Sequence, residues 1–103
     1  PLALIEEGMP VVVLAPRDNY YKKTISNMQE VIARGGKVLM ITDDTSETMS
    51  ENIRFKFQIP KTNSSINSFL LTIPIQLLAY HVALLRNCDI DKPRNLAKSV
   101  TVE

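Results

Sequence analysis

Val11-Val12-Val13-Leu14-Ala15-Pro16 and Lys37-Val38-Leu39-Met40-Ile41-Thr42 are two short apolar runs rich in β-branched residues. Both are continuous rather than alternating, the pattern of strands covered on both faces, as in a parallel sheet. Gly8 and Pro10 precede the first run, and Pro16 stops it. Between the two runs, Tyr21, Ile25, Met28, Val31 and Ile32 recur at helical spacing, while Lys22, Lys23, Asn27, Gln29 and Glu30 fill the other face. Asp18 or Asn19 can cap this helix, because a short polar side chain accepts a free N–H of the first turn. Gly35-Gly36 ends it, since glycine takes the left-handed conformation that a helix end often needs.

Working outward, Arg54-Phe55-Lys56-Phe57-Gln58-Ile59 alternates polar and apolar residues, which predicts a strand with one covered face near the sheet edge. A short helix is expected over 46–52 and a polar loop over 60–67. The last long element is expected over 68–86, where Leu70, Leu71, Ile73, Ile75, Leu77 and Leu78 leave almost no polar face. Pro74 falls inside that run and belongs either in a first turn or at a kink. Strand, helix, strand, short helix, strand, helix is an α/β alternation with a parallel sheet. Three strands are few for such a sheet, so the expectation is a piece of a larger domain. The opening Pro1-Leu2-Ala3-Leu4-Ile5, without an initiator Met, reads the same way.

The chain has 103 residues, a net charge of +1 and 45% apolar residues, an ordinary globular balance for one domain or less. That charge argues against a nucleic-acid or membrane-surface protein. A single Cys excludes an intrachain disulfide framework and makes a reduced, cytoplasmic setting the default. The apolar stretch that ends near Leu85 is broken by Thr72, Pro74, Gln76 and His81, so no membrane span is expected. No basic region precedes the N-terminal apolar residues, so no signal peptide is read there.

No phosphate-binding glycine loop is present. One His and one Cys make no zinc site by themselves. His81 on the apolar helix reads as a core or interface histidine, and Cys88 as an inert thiol. Asp43-Asp44 stand at the carboxyl end of a strand, where open α/β sheets bind ligands. They could hold a metal or a sugar hydroxyl, and they serve equally well as turn formers and caps, the ordinary reading. Ser64 and Ser65 could meet a phosphate but read as plain loop. The tail differs from a solvated charged end: Pro93, Leu96, Ala97, Val100 and Val102 are interspersed among its charges, as in an ordered strap over a surface. Lys98, between Ala97 and Ser99, could there lose solvation, shift its pKa down and act as a nucleophile toward a carbonyl.

Asp91-Lys92-Pro93-Arg94-Asn95-Leu96-Ala97-Lys98-Ser99-Val100-Thr101-Val102-Glu103 resembles the carboxyl-terminal tail of the glucosamine-6-phosphate synthases, the isomerising glutamine–fructose-6-phosphate aminotransferases. Arg34-Gly35-Gly36-Lys37-Val38 and Pro74-Ile75-Gln76-Leu77-Leu78-Ala79-Tyr80-His81 fit the same family, and the resemblance covers the whole chain. It implies a three-layer sugar-isomerase (SIS) fold, a parallel sheet flanked by helices. Only the later half of the second SIS subdomain is then present over 1–87, with the tail over 88–103. The residues over 63–67 are more polar than the family pattern, and Phe55-Lys56-Phe57 is unusual for its strand.

By that resemblance the enzyme makes glucosamine 6-phosphate from fructose 6-phosphate and glutamine, without a cofactor or metal, as a cytoplasmic homodimer. Lys98 would form the Schiff base with the open-chain sugar, and Ala97 would line the sugar site with its backbone. The family's catalytic glutamate, ring-opening histidine and phosphate loops would lie upstream, so His81 and Cys88 take no catalytic role and the isolated chain is expected to be inactive. Two other readings are a non-enzymatic phosphosugar-binding SIS regulator and a flavodoxin-like receiver with Asp43 or Asp44 as its acidic site. A tail ending in Lys98 and its neighbours has no purpose in the first, and three strands are too few for the second.

Overall fold

In the computed structural model, which describes residues 2–46 and 51–92, the chain divides into two compact units, Pro1–Leu71 and Thr72–Glu103. The first holds a 3-10 turn over Leu2–Leu4, strand β1 (Pro10–Leu14), helix α1 (Tyr21–Ala33), strand β2 (Lys37–Thr42) and strand β3 (Ile53–Gln58). Helix α2 (Ser64–Leu85) begins in the first unit and runs into the second. The strands lie in the order β1-β2-β3, and both pairings are parallel. The expected α/β architecture is therefore present, with β1 and β3 as the outer strands of the three described.

Helix α1 buries Met28 and Val31 against Ala15, Val38, Met40 and Ile53, with Val11, Val13, Ile25 and Ile32 packed around them. The helix stops in a Schellman motif: the Gly35 N–H bonds the Ile32 carbonyl and the Gly36 N–H bonds that of Val31. Gly35 has φ +83°, a conformation that costs a side chain its steric freedom. Gly36 leaves no room for a Cβ, which would fall 2.7 Å from Val31 Cγ1. The capping expectation is met in a modified form. Asp18 Oδ1 accepts the Tyr20 N–H at 2.8 Å, while the cap position itself falls to Tyr20.

Burial on both faces holds for β2, where Val38, Met40, Ile41 and Thr42 are all buried, but not for β1. Val11 and Val13 face α1, but Val12 is 41% and Leu14 38% exposed. The register places Val12 and Leu14 beside Leu39 and Ile41, and these beside Phe55 and Phe57. A register shift between Val38 and Leu39 pairs them with Ile53 and Phe55, which leaves Arg54 as the extra residue. That bulge reverses the phase of β3. Ile53 enters the α1 core, whereas Phe55 and Phe57, expected on the covered face, stand 55% and 42% exposed on the other.

Two boundaries also differ from expectation. Ser64–Asn67 is the first turn of α2 rather than loop, because Asn63 caps the helix: its Oδ1 accepts the Ile66 N–H at 3.1 Å. Pro74 sits inside one helix assigned without interruption over Ser64–Leu85. Helix α2 is long and apolar enough to cross a membrane by length and composition, which corrects the expectation that no segment is. The core helix of a soluble domain meets the same criterion, so the property does not by itself assign a membrane. Of the short helix expected over 46–52, the described part is Ser46, outside any helix, and a turn at Glu51 and Asn52.

Candidate functional site

A cluster of polar side chains stands at the carboxyl ends of β1 and β2, where an open parallel sheet leaves a crevice. Thr42, fully buried at the end of β2, donates its hydroxyl to the Ala15 carbonyl at 2.6 Å and accepts the Asp44 N–H at 3.0 Å. One side chain thus joins the two strand ends. The buried carboxylate of Asp43 accepts the Arg17 N–H at 2.7 Å and fixes the loop between β1 and α1.

Asp44 is the hub. Its Oδ2 accepts the Tyr21 hydroxyl at 2.8 Å and the Ser46 hydroxyl at 2.7 Å, and its Oδ1 accepts the Ser46 N–H at 3.2 Å. Arg17 Nη1 lies 3.7 Å from Oδ1, and its guanidinium stands 6.0 Å from the centre of the Tyr21 ring. The Ser46 and Tyr21 hydrogen bonds hold the Asp44 carboxyl down at about 2, against the opposing effect of its partial burial. Burial, followed by the bond to Asp44, pushes the Tyr21 phenol up. Beside this cluster lies a cavity of about 460 Å³ between α1, β2 and β3, with Met28, Met40 and Ile53 on its apolar wall and Lys56 on its polar one. Lys56 Nζ donates to the Ser46 carbonyl at 2.6 Å.

A carboxylate offers about four lone-pair sites. Three of those on Asp44 are taken by hydrogen bonds and the fourth faces Arg17. A carboxyl held at so low a pKa is a poor base, and its occupied lone pairs leave little room for a new ligand. The pair Asp43-Asp44 therefore does the work of turn and loop fixation, the ordinary reading of the sequence. Among the described residues no group of His, Cys, Asp and Glu is placed to hold a metal ion.

Of the other candidates, His81 is exposed on α2 in this chain, with its ring edge-on to Tyr80 at 5.3 Å, so of the core and interface positions expected for it the core one is not seen here. Cys88 is an exposed free thiol. Ser64 and Ser65 stand in the first turn of α2. Lys98 and Ala97 lie outside the described residues. Sequence reasoning missed the roles of Tyr21, Thr42 and Lys56. Tyr21 stands at the helix start and Thr42 at the end of β2, just before Asp43-Asp44. That adjacency was the one available signal.

The open parallel sheet with α1 packed on it defines an α/β domain. The chain belongs to the SIS domain family, whose profile matches residues 1–86. It is 51% identical over 104 residues to a glutamine–fructose-6-phosphate aminotransferase (isomerising) of Rhizobium leguminosarum bv. viciae. It is 53% identical over 105 residues to the enzyme of that name from Bradyrhizobium diazoefficiens. Each match takes in 100% of this chain and 17% of the relative, so the chain spans about a sixth of their length. Among solved structures, the C-terminal domain of glucosamine-fructose-6-phosphate aminotransferase from Francisella tularensis superposes with a TM-score of 0.81 at 36% identity. That match covers 89% of this chain and 26% of the other.

Proposed function

We propose that this chain is the later half of the second SIS subdomain of an isomerising glutamine–fructose-6-phosphate aminotransferase, over 1–87, followed by the tail over 88–103 that carries the reactive lysine. The carrying observation is identity of about one half with enzymes of that name along the whole of this chain. The uncovered apolar face of Val12, Leu14, Phe55 and Phe57 supports the reading, since a sheet face of that composition belongs under another layer. In the same reading, α2 is a core helix of the larger domain and not a membrane span. The whole enzyme is a cytoplasmic homodimer with no nucleic-acid partner.

The substrates are fructose 6-phosphate and glutamine, and the products are glucosamine 6-phosphate and glutamate. Lys98 adds as a neutral amine to the carbonyl of the open-chain sugar, and water leaves as the imine forms. Ammonia released from glutamine adds to this imine and displaces the lysine amine, and the iminium that remains withdraws electrons from the neighbouring carbon better than the ketone does, so a proton moves between C1 and C2. Ala97 presents backbone to the sugar. The general base for that proton comes from other parts of the enzyme, so the 103-residue chain alone is inactive.

Borohydride trapping in the full-length enzyme tests this. With fructose 6-phosphate present, the wild type should gain the mass of one reduced sugar phosphate at Lys98. Lys98→Arg should gain none and lose synthase turnover, because arginine keeps its charge at working pH. Glutamine hydrolysis should survive. A Lys98→Arg enzyme that still traps sugar, or turns over normally, rules the assignment out.

A further inference from the structure

We draw no further inference here: the strongest candidate, the exposed sheet face formed by Val12, Leu14, Phe55 and Phe57, is an unpartnered apolar surface, and nothing in the structure shows what covers it.

Discussion

The Tyr21 hydroxyl donates to Asp44 Oδ2 over 2.8 Å and ties the first residue of α1 to the segment that leaves β2. The bond joins parts of the chain 23 residues apart. Arg17 and Ser46 complete the cluster, so the loops at both strand ends share one carboxylate.

Tyr21→Phe should remove one of the hydroxyl donors to Asp44 and leave those of Ser46. The Asp44 carboxyl should then climb from about 2 toward its ordinary 3.8, as followed by NMR titration of the side-chain carbon. Unfolding stability at neutral pH should fall by about 1 kcal/mol, the usual net worth of one such bond. An unmoved Asp44 titration would mean that Ser46 alone sets it.

The depressed pKa of Asp44 fixes the sign of an acid effect. Its folded value lies below its unfolded one, so its contribution is complete above about pH 4 and is lost as the pH falls toward 2. Asp44→Asn cannot titrate. Urea midpoints at pH 5 and pH 3 should therefore draw closer together in the variant than in the wild type.

Gly35→Ala should cost about 1–2 kcal/mol, the penalty for a side chain held in the left-handed region. The new Cβ would also sit 3.0 Å from the Glu7 Cα, where backbone leaves little room to give. Denaturant unfolding reads this directly; an unchanged midpoint would show that the Schellman turn relaxes without penalty.

Asn67 is only 8% exposed, and its Oδ1 has no hydrogen-bond partner among the described residues. Leaving a buried acceptor unmet costs about 1–3 kcal/mol, and alanine is also the better helix former. Asn67→Ala should consequently raise the unfolding midpoint. A fall would mean that the amide makes a contact worth more than its unmet oxygen loses.

The 103-residue chain should self-associate at micromolar concentration, because its exposed Val12, Leu14, Phe55 and Phe57 share one sheet face. Sedimentation velocity should show mass rising with concentration. Replacing Phe55 and Phe57 together with lysine and threonine should shift the distribution toward monomer. A folded wild-type monomer at that concentration contradicts this.

Local pattern was enough to determine the strands at Val11 and Lys37, the helix between them, its Gly35-Gly36 stop and the α/β class. Each of these follows from side-chain periodicity and backbone freedom within a few residues. The start of α2 was within reach too, since Asn63 before Ser64-Ser65 is a capping signal, but the polar composition hid it. The face to which β3 turns Phe55 was not legible. The bulge at Arg54 arises only when Ile53 pairs with Val38, and that single extra residue inverts the strand's alternation. The partners of Asp44 were equally out of reach, because Tyr21 and Arg17 come to the end of β2 only after the parallel sheet and α1 have formed. Sequence spacing carries periods of two and 3.6 residues; a hydrogen bond spanning 23 residues is decided by the tertiary fold.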